Sequence, residues 1–207
     1  MSLTTEHSVR SEQSAPMLRF TQRLALGVGA LLLIPLTAMQ FTAEVNWTVS
    51  DFIAATVLLM GAGMIYKFVS LQMPLPSYRR GVALAVFPSL AVIWVNLAVG
   101  IIGSEDHPAN LLFFGVLLSG FTGAIIARFR PYGLSLTMFG MAAGQFLVPV
   151  IAFLTWQPEF TFGVLKVFLF NWVFVMLFVA SGMQFRTAAK DAQQSEITPA
   201  IVQGGAQ

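Results

Sequence analysis

The sequence predicts an all-α polytopic transmembrane bundle, six helices in three hairpins with both termini in the cytoplasm. Three observations carry that expectation. Of 207 residues, 57% are hydrophobic and only 10% charged, with mean hydropathy +0.77, whereas a soluble domain is about a quarter charged. Six apolar stretches each approach the roughly 20 residues that a helix needs to cross a hydrocarbon core of about 30 Å. Ten of the 11 Lys and Arg residues precede the first stretch, follow the last, or fall in every second connection. A disordered polymer is excluded, because it needs low hydrophobicity and high net charge. No cysteine is present, which removes disulfide scaffolds, thiol catalysis and Cys-ligated zinc or iron–sulfur centres.

The first span runs from about Leu24 to Phe41. Arg19 and Arg23 before it and Ala43 after it also fit a secretory leader, but the apolar run is long for one and no clean Ala-x-Ala site follows. Retention as the first helix is expected. The second span covers about Phe52 to Leu71, the third about Val82 to Ile102 and the fourth about Leu111 to Ala127. The fifth covers about Leu134 to Thr155 and the sixth about Phe160 to Met183. Membrane strands would alternate apolar and polar residues, but residues 115–127 are apolar on every side. The spans leave only short connections, so residues 19–186 are expected to form one transmembrane domain. Residues 1–18 and 187–207, rich in Ser, Gln, Thr, Ala and Gly, are expected to be disordered cytoplasmic tails.

Charge sets the direction. Arg10, Arg19 and Arg23 precede the first span, Lys67 near the end of the second span with Arg79 and Arg80 after it mark the approach to the third, Arg128 and Arg130 separate the fourth from the fifth, and Arg186 and Lys190 follow the sixth. The alternate connections hold Glu44, Asp51, Glu105, Asp106 and Glu159. The two sides carry +6 and −4, consistent with the net +2 of the chain. Short loops rich in Lys and Arg stay cytoplasmic, so three acidic returns are expected outside. A weak echo at an offset of 59 pairs Asp51 with Asn110, Val57–Leu59 with Val116–Leu118 and Gly61 with Gly120. A hairpin duplication and chance matching of apolar sequence both account for it.

Two groups of residues are candidates for chemistry. On the outer face, Glu105, Asp106, His107, Asn110 and Asp51 offer carboxylates, an imidazole and an amide, the ligand types of a hard cation or a mixed His–carboxylate metal site. The competing role is helix capping: acids suit helix starts, Thr48 and Asp51 have capping-box spacing, and Pro108 and Pro158 sit where a helix begins. Inside the spans, Asn96, Gln145 and Asn171 are amides that need partners in lipid. Lys166 lies about two turns inside the outer end of the sixth span and either snorkels outward towards Glu159 or Glu44 or stays buried as an anion-binding or titrating group. Lined together, these four residues are a candidate polar path.

The GxxxG at Gly140–Gly144, with Gly120, Gly123, Gly61 and Gly63, lets helices approach closely, either within the chain or across a dimer seam. Trp47 and Trp156 are placed at the outer boundary, where aromatic belts form. The sequence holds no P-loop, dinucleotide fingerprint, HExxH or nucleophile elbow. No cofactor is expected, and the basic rim is explained by topology rather than by nucleic acid.

At Asn46–Phe52, at Asn96–Asn110 with its Gly100-Ile101-Ile102-Gly103-Ser104-Glu105-Asp106 core and following Pro108-Ala109-Asn110, and at Ala127–Pro131, the chain resembles a family of small uncharacterised bacterial inner-membrane proteins. The likeness covers spans two to four well and the rest loosely. It implies a bacterial cytoplasmic membrane and transfers no catalytic residue. The expected function is therefore a non-catalytic accessory or interaction subunit of the inner membrane, with the bilayer, another membrane protein or a second copy as partner. A small-solute or ion transporter is the alternative, and an enzyme built on Glu105, Asp106 and His107 a third.

Overall fold

The computed structural model describes the backbone of residues 3–104 and 106–204 and the side chains of residues 17–104 and 106–195. Among the described residues the secondary structure is helical and contains no strand. It comprises α1 (Leu3–Phe41), α2 (Val49–Ser70), α3 (Pro76–Ala98), a 3-10 turn (Pro108–Asn110), α4 (Leu111–Ile126), α5 (Pro131–Trp156) and α6 (Phe162–Gly204). All six helices are long and apolar enough to cross a membrane. The chain is an all-α polytopic bundle.

The first and last helices reach further than the apolar pattern does. α1 begins at Leu3 and α6 continues to Gly204, through segments whose composition suggests unstructured tails. For α6 the reason is packing. Ala188 is fully buried and Asp191 Oδ2 accepts the Ser77 hydroxyl at 2.9 Å, so the helix is held on α3 beyond Arg186.

Contacts divide the chain within α2 into two compact units, Met1–Ile65 and Tyr66–Gln207. In the first, α1 and α2 form a hairpin: the Leu24 side chain occupies the space beside Gly63, and Thr21 Oγ1 approaches Met64 Sδ at 3.9 Å. α2 opens with a capping box. Asp51 Oδ2 accepts the Thr48 backbone N–H at 2.7 Å and its hydroxyl at 2.8 Å, while Asp51 N–H points back at Thr48 Oγ1 at 3.4 Å. Trp47 stacks edge-on against Phe52 at 5.1 Å, the residue pair of a hydrophobic staple.

In the second unit, sequential helices run antiparallel. Gly120 faces Met141, Gly123 faces Thr137 and Gly144 faces Val116, so glycines bring α4 and α5 together as small residues do between membrane helices. Gly140, the other half of the GxxxG, has open space beside it. α6 packs against both α5 and α3, around a core that includes Tyr78, Val92, Phe113, Met138, Phe178 and Phe185. Outward-facing side chains are apolar too: Ile126 is 77% exposed and Leu154 67%. Water does not tolerate so continuous an apolar surface, whereas lipid does.

The two ends of this unit differ in charge. At one end, Tyr78 donates its hydroxyl to the Phe129 carbonyl at 2.8 Å, Phe68 and Phe129 stack edge-on at 6.0 Å, and Ser77 bonds Asp191. These contacts gather the α2–α3 and α4–α5 connections and the far part of α6, and with them Lys67, Arg79, Arg80, Arg128, Arg130, Arg186 and Lys190. Arg128 and Phe129 both adopt left-handed backbone angles, φ 50° and 56°. Such angles cost non-glycine residues about 1–3 kcal/mol each; the Phe129 N–H bond to Ala124 O at 3.1 Å and the Tyr78 clamp offset the cost. At the opposite end lie the 99–110 loop and the α5–α6 connection, with Asp106 and Glu159.

Candidate functional site

The site is built on the loop between α3 and α4. α3 stops because Val99 and Gly100 N–H groups both bond to Val95 O at 3.0 Å and Gly100 turns left-handed, φ 72°. A Cβ at Gly100 would stand 2.5 Å from the Ser104 carbonyl oxygen, so only glycine fits. The loop is then tied to a single side chain. Asn110, 4% exposed, accepts the Ile101 and Ile102 N–H groups on Oδ1 at 3.2 and 3.0 Å, and donates from Nδ2 to the Ile102 and Ser104 carbonyls at 3.1 and 2.7 Å. Every hydrogen-bonding direction of the amide is used.

His107 follows from that knot. Its N–H bonds Ser104 O at 3.0 Å and its carbonyl accepts the Asn110 N–H at 2.9 Å, starting the short turn with Pro108 in its first position, as capping chemistry predicts. His107 Nδ1 accepts the Ala109 N–H at 3.2 Å. The other ring nitrogen, Nε2, therefore carries the proton. The ring meets Trp156 edge-on at 5.1 Å.

Beneath His107 a cavity of ≈ 410 Å³ opens between the loop and the facing ends of α5 and α6. Ile101, Ile102 and His107 form its loop wall, Pro149, Ala152, Phe153 and Trp156 the α5 wall, and Val164, Val167 and Phe168 the α6 wall. Ligand sites are concave, mostly apolar and about 300–1,000 Å³, with a few placed polar groups. The cavity meets that description. Its rim corrects one expectation: Pro158 does not begin the sixth helix but lines the cavity. Gln157 instead ends α5 in the left-handed conformation, φ 45°, and α6 starts at Phe162, with Thr161 Oγ1 accepting Val164 N–H at 3.4 Å.

The candidate outer-face residues do not all have the same fate. Asp51 caps α2 in the first unit. Asn110 is consumed by backbone bonds, which leaves no lone pair for a cation. Asp106 is exposed beside the half-buried His107, and Glu105 lies outside the described residues. Among the described residues, no three His, Asp or Glu side chains converge on a metal-sized space.

Of the four intramembrane candidates, the fold joins two. Gln145 Nε2 donates to Asn171 Oδ1 at 3.0 Å, and Asn171 Nδ2 donates to the Gln145 backbone carbonyl at 2.9 Å. The second bond has a covalent cause. Residue 149 is proline, has no N–H, and so leaves the carbonyl four residues back unpaired; that carbonyl belongs to Gln145, and Asn171 supplies the missing donor. Asn96, buried on α3, donates to Val92 O of its own helix at 2.8 Å. Asn96 Oδ1 and Gln145 Oε1 are buried without a hydrogen-bond partner. Lys166 is exposed, its Nζ 4.8 Å over the Phe162 ring one turn towards the start of α6, so it is not buried among the helices.

Of the residues lining the cavity, His107, Trp156 and Pro158 stand out in the sequence, and the rest of the walls do not. Pro149, Ala152 and Phe153 read as ordinary span residues, and only the spacing of Gln145 and Pro149, with a free carbonyl implied between them, signals a feature there. No protein-family model, curated protein or solved structure matches the chain.

Proposed function

We propose that the chain is a non-catalytic multipass protein of a bacterial cytoplasmic membrane, acting as an accessory or interaction subunit. The observation that supports this reading is the reciprocal Gln145–Asn171 clamp near the middle of α5. A transport path keeps its intramembrane amides available to solute; here two of the three, Gln145 and Asn171, fasten α5 to α6, as static interhelical bonds do. The partner is another membrane protein or a second copy, with the bilayer around it. Cross-linking in native membranes followed by mild-detergent purification is expected to recover a defined complex. A protein that is monomeric and partnerless in both measurements refutes the role.

In the same proposal both termini face the cytoplasm and the 99–110 loop faces out, because basic residues gather at the opposite end. The cysteine-free sequence makes the test clean. Ser104→Cys is expected to react with a membrane-impermeant maleimide in intact spheroplasts and Gln72→Cys only after lysis. The reverse pattern overturns the orientation.

A second reading, passage of a small solute or ion, has one observation in its favour: the unpartnered buried oxygens Asn96 Oδ1 and Gln145 Oε1. A conducting protein would show flux in proteoliposomes that Asn96→Leu and Gln145→Leu abolish. Absence of flux in the unsubstituted protein retires that reading.

A further inference from the structure

We propose that the cavity below His107 is a binding site for a neutral, membrane-dissolved molecule that presents a carbonyl oxygen to His107 Nε2–H. The inference rests on the helices lying in a bilayer, not on the accessory role. Four features select this chemistry.

The walls are apolar: Ile101, Ala152, Val164 and Phe168 meet the bulk of any occupant, and Phe153 and Trp156 add flat aromatic faces. The polar side chains among the lining residues are the His107 imidazole, the Thr161 hydroxyl and the Trp156 indole. Nδ1 of the imidazole is already occupied by the Ala109 N–H, so the ring offers a donor, and the indole is a donor only. Thr161 Oγ1 already accepts the Val164 N–H, so the open groups are chiefly donors and select a ligand that brings an acceptor. That acceptor is uncharged, because no Lys or Arg lines the cavity while Asp106 and Glu159 sit in the two connections that frame it.

The donor is held in place. Asn110 fixes the loop through four backbone bonds and Trp156 fixes the ring, so little ordering remains to be done on binding. Finally, the cavity lies where α5 ends and α6 begins, at the depth where Trp marks the bilayer interface. A lipophile already in the membrane reaches it without crossing water. Two sources share the chemistry, the ring carbonyl of a quinone and the ester carbonyl of a bilayer lipid.

The test uses the full chain in nanodiscs of ether-linked phospholipid, which carry no ester carbonyl, titrated with a short-chain benzoquinone. Indole fluorescence is expected to fall along a saturable curve, and the quinone to raise the melting temperature by mass action. His107→Phe keeps a ring against Trp156 but has no N–H, and one hydrogen bond removed should weaken binding about three- to tenfold. Ala152→Phe fills the cavity without touching His107 and should abolish both the saturable quenching and the thermal shift; Val164→Phe, from the opposite wall, serves if the first variant does not fold. Repeating the titration in ester-linked lipid separates the sources. A curve shifted to higher quinone in wild type but not in His107→Phe identifies the lipid ester as resident, and an unshifted curve identifies a quinone-type ring. Quenching linear in quinone, or equal saturation in the unsubstituted protein, His107→Phe and the filled variants, overturns the site. A partnerless monomer would defeat the accessory role yet leave this titration unaffected.

Discussion

Replacing Asn171 by leucine removes the one side chain that answers the defect introduced by Pro149. Two hydrogen bonds vanish, at 3.0 and 2.9 Å, leaving the Gln145 carbonyl and Nε2 unpaired in a buried setting where Gln145 is 0% exposed. A net bond is worth about 1 kcal/mol, and coupled pairs in membrane bundles average about 0.6 kcal/mol with maxima near 1.7. The expected loss is therefore about 2 kcal/mol. The second substitution gives the argument its force. Pro149→Ala restores an N–H four residues after Gln145, so the helix itself can satisfy the carbonyl. In the presence of Asn171 that N–H adds little, because the carbonyl is already bonded; once Asn171 is gone it replaces what was lost. Pro149→Ala should thus be more favourable in the Asn171→Leu background than in wild type by about 1 kcal/mol. Reversible unfolding in mixed micelles of mild detergent and SDS, followed by circular dichroism, gives the four free energies of the cycle. Additivity within about 0.3 kcal/mol would show that Asn171 does not serve the proline-freed carbonyl, and the reasoning fails.

Three further outcomes are expected. Asn110→Ala unties the loop; discounting the Ser104 carbonyl, which keeps the His107 N–H at 3.0 Å, about three bonds of about 1 kcal/mol each are lost, and limited proteolysis should cut between Val99 and Asn110 where wild type resists. Gly100 and Gly103 are both left-handed, φ 72° and 67°, so alanine strains either position, but at Gly100 its Cβ would also stand 2.5 Å from the Ser104 carbonyl oxygen, against 3.2 Å from the His107 side chain at Gly103. The unfolding midpoint should therefore fall by at least as much in Gly100→Ala as in Gly103→Ala, and the reverse order contradicts the loop geometry. Tyr78→Phe keeps the buried ring against Phe185 and deletes the bond to Phe129 O, costing about 1 kcal/mol, and amide exchange at residues 127–130 should accelerate while the rest of α5 stays protected.

Much of the fold is legible in the sequence because the solvent imposes it. A helix that must satisfy its own backbone in hydrocarbon has a fixed minimum length, so the apolar runs found the helix interiors. The ends were less legible. α6 runs past Arg186 because its Asp191 accepts the Ser77 hydroxyl and its Ala188 is buried, and a composition of Ala, Gln and Ser is compatible with helix or coil until a neighbour decides. Thr48 and Asp51 form the cap that their spacing predicts, since capping is local and acts within a single turn of chain. Pro158 misled for the converse reason. Proline at a helix start and proline in a wall of a cavity have the same sequence neighbours, and only the packing of Thr161 and Phe162 separates them.

The candidate site divides along the same line. That Asn96, Gln145 and Asn171 must find partners follows from the chain alone, because a bare amide in lipid is costly. Which partners they find depends on helix register: Gln145 meets Asn171 across 26 residues of sequence, whereas Asn96 turns to its own helix. The amino-acid sequence by itself determined the helical class, the number of apolar helices and the segregation of charge, since each is an average over many residues against one solvent. Only the tertiary structure decided that Asn110 serves the backbone, that Lys166 is not buried among the helices and that a space opens under His107. Those outcomes depend on contacts between single atoms brought together from distant parts of the chain, and no local pattern encodes them.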